Sequence, residues 1–243
     1  MRNYLLATWL LLAAGWMGCS NFSAWQTVHG SGNVVTEDRP VSGFDGVSVS
    51  GGGELILAQG EEEALTIETD DNLLPLIKSE VHNGRLSMGP RNVNLRPTKS
   101  IRYQLKLKKL NDLESSGSAQ VEADSIKTER LALSISGSGE TKVAHLETEA
   151  LSTQISGSGS LSAAGRAETQ VISLSGSGSL RASGLKSSKA DANISGSGQA
   201  SLWVTESLTA QISGSGSVEY RGDAKVDSHV SGSGKVRRDR GEQ

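Results

Sequence analysis

From residue 111 onward, apolar and polar residues alternate in short runs that stop at the same punctuation. The clearest case is Leu133 and Ile135 on one side of Ser136-Gly137-Ser138-Gly139, with Thr141 and Val143 on the other. The Ser-Gly-Ser-Gly stretch returns after Ile155, Leu174, Ile194, Ile212 and Val230, and a worn copy stands at Ser116-Gly117-Ser118-Ala119. The first serines fall at residues 116, 136, 156, 175, 195, 213 and 231, so the spacings are 20, 20, 19, 20, 18 and 18. A fixed period in this range marks a solenoid, in which each repeat is one unit stacked on the next.

Counting each repeat from its first serine, position −1 is mostly Ile, Leu or Val, and position −3 holds Leu113, Leu133, Thr153, Ile172, Ala192, Ala210 and Ser228. Positions +5 and +7 are again mostly apolar, as in Leu161 and Ala163. Alternation on both sides of the glycines predicts two strands, each with one face inward. A further apolar residue near +10 (Ile126, Leu146, Leu185) predicts a short third side. Three strands and three corners in one period describe a coil of a parallel β-helix, with successive coils about 4.8 Å apart. The outward residues fit such stacking. Position −2 is a polar ladder of Glu114, Ser134, Gln154, Ser173, Asn193, Gln211 and His229, and position +6 puts no like charges on adjacent coils. The expected fold is therefore all-β, a single-stranded parallel β-helix. A right-handed path is favoured, because parallel crossovers take that hand and, although the last two spacings match the 18-residue coil of a left-handed hexapeptide helix, its pattern of one aliphatic residue every six is missing.

The corner residues are Ser136, Gly137, Gly139, Ser156, Gly157, Gly159, Ser175, Gly176, Gly178, Ser195, Gly196, Gly198, Ser213, Gly214, Gly216, Ser231, Gly232 and Gly234. Glycine supplies positive φ at a turn, and serine hydroxyls are expected to satisfy nearby backbone groups. A phosphate-binding reading fails, because no Lys-Ser or Lys-Thr and no helix follow the glycines.

Residues 41–110 are less regular but still β-rich. Val47 and Val49, with Leu55 and Leu57, place Ser50 in register with the repeat serines, so this stretch is expected to be a divergent coil of the same stack. Leu65–Thr69 and Ile101–Leu107 read as strands, and Asn83-Gly84 as the turn of a hairpin. Asp70-Asp71-Asn72 is expected to cap a single short helix over Leu73–Ile77, which Pro75 keeps brief. Open coils expose unpaired backbone, so the irregular region is expected to cover one end and the charged run Lys235–Arg240 to blunt the other.

Residues 1–18 read as a signal peptide, with an apolar run from Leu5 to Trp16. Trp16-Met17-Gly18-Cys19 resembles a bacterial lipobox, with Trp16 where Leu is usual, and makes Cys19 the lipid attachment site. The alternative is a non-lipidated leader cut nearby. With Ser20 rather than Asp after the cysteine, an outer-membrane anchor is favoured in a two-membrane cell. The expected organisation is a leader over 1–18, lipidated cysteine and polar tether over 19–40, β-helix over 41–236 and charged tail over 237–243.

Composition narrows the function classes. Net charge is −3, so no nucleic-acid partner is expected. Aromatic content is 4 %, below that of an enzyme with a bulky core. Cys19 is the one cysteine, which excludes internal disulfides and a thiolate zinc site. His29, His82, His145 and His229 are scattered, and Glu122, Glu140, Asp191, Glu206 and Glu219 share no one offset, so neither metal ligands nor a catalytic carboxylate pair is expected. Arg221-Gly222-Asp223 spells an integrin-ligand tripeptide but falls where a turn is due.

Gly43-Phe44-Asp45-Gly46-Val47-Ser48-Val49-Ser50-Gly51, Leu73-Leu74, Val81, Asn83-Gly84-Arg85-Leu86 and the Ser-Gly coils together resemble the bacterial head GIN domain family, described as auto-transporter adhesin heads, over roughly residues 43–225. The resemblance implies an exported, β-rich, often lipid-anchored protein of adhesive or structural role, and it brings no catalytic residues or cofactor. The resulting expectation is a non-enzymatic cell-envelope protein. It would be held to the membrane through Cys19 and would present a stacked β surface to a glycan or protein, with homo-oligomerisation open. A carbohydrate-active enzyme of the β-helix type and an envelope signalling scaffold are the alternatives.

Overall fold

The computed structural model describes residues 26–239. In chain order the irregular part contains strands β1 (Thr27–His29), β2 (Val34–Arg39), β3 (Gly46–Gly51), β4 (Glu54–Gln59), β5 (Ala64–Asp70), β6 (Ile77–His82), β7 (Arg85–Pro90), β8 (Asn94–Arg96) and β9 (Arg102–Leu107). The regular part contains β10 (Asp112–Gly117), β11 (Gln120–Lys127), β12 (Arg130–Gly137), β13 (Glu140–Gly157), β14 (Ser160–Gly176), β15 (Ser179–Gly196), β16 (Gln199–Gly214), β17 (Ser217–Arg221), β18 (Lys225–Gly232) and β19 (Lys235–Arg238). β13 to β16 each run round most of one coil.

The coils stack in parallel and in register, like on like. Ser136 pairs with Ser156, Ser156 with Ser175, Ser175 with Ser195, Ser195 with Ser213 and Ser213 with Ser231. The strand before each corner forms a first side of the solenoid and the strand after it a second side. Ile126, Leu146 and Leu185 are buried on a third side, where register shifts after Val143, Ser162 and Ala182 mark its corner. The −3 column from Leu113 to Ala210 is buried throughout and shrinks from leucine to alanine along the stack. Each buried Leu or Ile of these columns contributes roughly 1.5–3 kcal/mol relative to exposure.

Ser50 lies in the expected register: it pairs with Ser116, and Gly51 with Gly117, while Leu55 and Leu57 pair with Val121 and Ala123. The order of the coils departs from the order of the chain. β3 is flanked by β10 on one edge and β7 on the other, and β4 by β11 and β9. Residues 46–59 therefore sit between residues 85–107 and residues 112–127. The chain lays down one coil, places the next outside it, and then crosses back to continue on its other face. Asn111 N–H donates to Asp45 O (2.7 Å) at that crossing.

Antiparallel strands close this end. β6 pairs with β7 through the turn at Asn83 (φ 50°) and Gly84 (φ 75°), and β5 pairs with β9, with β2 on its far edge. The folded body includes residues before 41, since β1 and β2 belong to it. β1 pairs in parallel with β8. The expected short helix is a 3₁₀ turn over Leu74–Leu76 with Leu73 at its N-cap, and no side chain caps it. Asp70, Asp71 and Asn72 turn instead to the 29–33 segment. Asp71 accepts from Ser31 Oγ (2.5 Å) and Asn33 Nδ2 (2.9 Å), and Asn72 Oδ1 accepts from Ser31 N–H (2.9 Å). A three-residue turn offers few orphan amides, whereas the incoming chain offers several.

Candidate binding face

In an extended strand alternate residues share a face. On the first side, positions −2 and 0 are each one step from the buried core position −1, so both point outward. Gln154, Ser173, Asn193 and Gln211 form one row, and Ser156, Ser175, Ser195 and Ser213 the row beside it. The two rows border a shallow trough of about 360 Å³. Neither row carries an ionised group from Ser134 and Ser136 to Gln211 and Ser213. At one end, Arg85 pairs with Asp112 (2.6 Å) and Glu114 (3.2 Å). At the other end stands His229. Val171, 48 % exposed, lies at the margin of the rows.

The corners hold this face rigid through backbone geometry. The first glycine of each corner has positive φ, for example 117° at Gly137, 108° at Gly157 and 106° at Gly176. The amide of the serine after it donates to the glycine carbonyl of the coil before, as Ser158 to Gly137 O (2.9 Å) and Ser197 to Gly176 O (2.8 Å). The second glycine (Gly139, Gly159, Gly178, Gly198, Gly216) is buried and faces the preceding coil. The corner serine side chains were expected to satisfy backbone groups. Among the described residues, Ser50 of the serine row bonds within the chain, its Oγ donating to Met88 O (3.3 Å). The hydroxyls of Ser156 to Ser213 point to solvent, because backbone-to-backbone bonds already satisfy the corner. The alternation rule by itself puts these serines on the exposed face.

A larger groove, about 780 Å³, runs along the third side past Lys127, Glu129, Glu147, Arg166 and Glu168. Its charges compensate one another: Lys127 Nζ lies 3.0 Å from Glu147, and Arg166 lies 3.7 Å from Glu168. Solvated pairs of this kind contribute little and specify no ligand.

The remaining candidates do not converge. No group of three or more potential metal ligands occurs among the described residues. His29 is in β1, His82 in β6, and His145 Nδ1 lies 3.1 Å from Asp124 O. Glu219 pairs with Arg237 (3.1 Å). Within the Arg-Gly-Asp turn, the Arg221 guanidinium lies 4.0 Å from the centroid of the Trp203 ring, and Asp223 accepts from Arg238. Both ends of the tripeptide are thus engaged inside the molecule. Cys19 lies outside the described residues.

Residues 43–224 match the family described as "Putative auto-transporter adhesin, head GIN domain". The chain belongs to this family. Solved structures of similar fold include a "putative lipid binding protein" from Parabacteroides distasonis ATCC 8503, 25% identical, with a TM-score of 0.77 over 88% of this chain and 100% of that one. A "putative adhesin" from Bacteroides fragilis NCTC 9343 is 22% identical, with a TM-score of 0.80 over 87% of this chain and 99% of its own. A "putative adhesin" from Parabacteroides merdae ATCC 43184 is 24% identical, with a TM-score of 0.71 over 88% and 100%. The two adhesin structures establish likeness of fold alone. No curated protein matches the chain.

Proposed function

We propose that this head GIN protein is a non-enzymatic, exported adhesin-like module of the cell envelope, and that its first side binds a neutral glycan. The observation that carries this reading is the charge-free double row of amides and hydroxyls from Ser134 and Ser136 to Gln211 and Ser213. Asn and Gln each present both donors and an acceptor, and serine presents one donor with two acceptor lone pairs, the inventory that matches sugar hydroxyls. The rows sit on stacked strands rather than loops, so little backbone freedom is lost on binding. Repetition at each coil offers the same contacts to successive units of a polymer, which raises avidity without any strong single contact. The apolar leader and Cys19 support export and anchoring at the membrane.

The test is a glycan-array screen of the full chain, followed by affinity measurement with Ser175→Arg and Ser195→Arg, which place charge in the row without touching the core. A neutral glycan bound by the parent and weakened at least tenfold by each variant (about 1.4 kcal/mol) is expected. Vesicles form a parallel arm, because one relative is described as lipid binding. Binding to vesicles alone, or glycan binding indifferent to both variants, would count against the assignment.

A further inference from the structure

The two ends of the solenoid differ. One is closed by antiparallel β6, β5 and β2. At the other, β18 pairs with β16 and β19 with β17, and among the described residues neither has a strand on its outer edge. Val230 there is 37 % exposed, although Ile212 beneath it is 2 % exposed. A row of unpaired N–H and C=O groups beside apolar side chains is a template for another strand.

We infer that a second copy of this chain fills that edge, joined end to end about a two-fold axis through Ser228. The argument is the sequence of β18. Directly opposed residues of an antiparallel pair share a face, so a self-pairing register that keeps inward residues opposite inward ones is centred on a residue. Centred on Ser228, Val226 stands opposite the partner's Val230, and Asp227 opposite the partner's His229, each match occurring twice. Centred on Asp227, two aspartates oppose each other, which is unfavourable. Centred on His229, Val226 faces the partner's Gly232 and Asp227 faces the partner's Ser231, so neither match is made.

The geometry of the three-sided solenoid agrees. An axis normal to the first side exchanges the other two sides. The basic strand β19, with Lys235, Arg237 and Arg238, then meets the partner's turn that follows β17 rather than a second basic strand. The first sides of both copies lie in one plane and face one way, so the amide and hydroxyl rows run on from one copy into the next. Such an isologous dimer doubles the length of the face.

The sole cysteine makes the test direct. In the exported full-length chain bearing Cys19→Ser, a Ser228→Cys substitution lies on the axis. Paired-strand Cα separations of about 4.5–5.5 Å are within disulfide reach, so mild oxidation is expected to yield a covalent dimer. Ser231→Cys, whose counterpart is the partner's Lys225, is expected not to cross-link. In sedimentation, Asp227→Lys is expected to raise the dimer dissociation constant at least about tenfold, and adding His229→Asp to restore it. Both positions are exposed, so circular dichroism should be unchanged. A monomer at every concentration, equal cross-linking at 228 and 231, or no effect of Asp227→Lys overturns the inference. No ligand enters the experiment, so its failure leaves the glycan reading untouched.

Discussion

A methyl group on Gly159 would lie 2.6 Å from Cγ2 of Ile135, one coil away. The same holds for Gly178 and Ile155. The first glycine of the corner is constrained differently: at Gly176, φ is +106° and a methyl would lie 2.7 Å from Gly157 O. Two glycines recur because one lets the chain turn and the other lets the coils close. Gly159→Ala and Gly178→Ala are each expected to destabilise by roughly 1–3 kcal/mol through overpacking. Gly60→Ala, with nothing within 4 Å, should stay within about 0.5 kcal/mol of the parent. Denaturant midpoints compare the three.

Gln170 occupies an inward position between Leu151 and Ala190 and is 1 % exposed, yet neither its Nε2 nor its Oε1 has a partner. A buried amide without hydrogen bonds costs about 1–3 kcal/mol. Gln170→Leu should therefore raise the melting temperature, and a fall would show that the amide is satisfied in solution.

Asp70 is 0 % exposed. Thr98 N–H (2.9 Å) and Thr98 Oγ1 (2.7 Å) donate to its carboxylate, as does Gly32 N–H (2.7 Å). The Thr98 amide is the main reason that its pKa lies below the ordinary 3.8, against the opposing pull of burial. A carboxylate depressed on folding adds stability that is complete above its unfolded pKa and lost as pH falls through the folded value. The closed end should therefore hold at neutral pH and loosen only below about pH 3.8. Hydrogen exchange in β2 and β5 reads this out. Asp70→Asn should speed exchange there at neutral pH and remove the acid-induced step.

Cys19 is expected to carry the anchor. Metabolic labelling with palmitate should tag the parent and not Cys19→Ala, and the variant should leave the membrane fraction. Absence of label from the parent would assign the leader to an ordinary cleaved signal peptide.

The repeat was legible because its physics is local. Alternation decides which side chains turn inward, the glycines mark the corners, and stacked strands put like on like, so even the divergent Ser50 coil could be registered from Val47, Val49, Leu55 and Leu57. Stacking of like on like carries no information about order, because a coil fits equally well on either neighbour. The insertion of residues 46–59 between residues 85–107 and 112–127 was therefore settled by long-range pairing of β3 with β7 and β10. The same is true of the acids at 70–72, whose partners at Ser31, Gly32, Asn33 and Thr98 are remote in sequence. By itself the sequence determined a stack of coils with a polar exterior. The tertiary structure decided the order of those coils and which end is closed, since each depends on groups that the chain brings together only when folded.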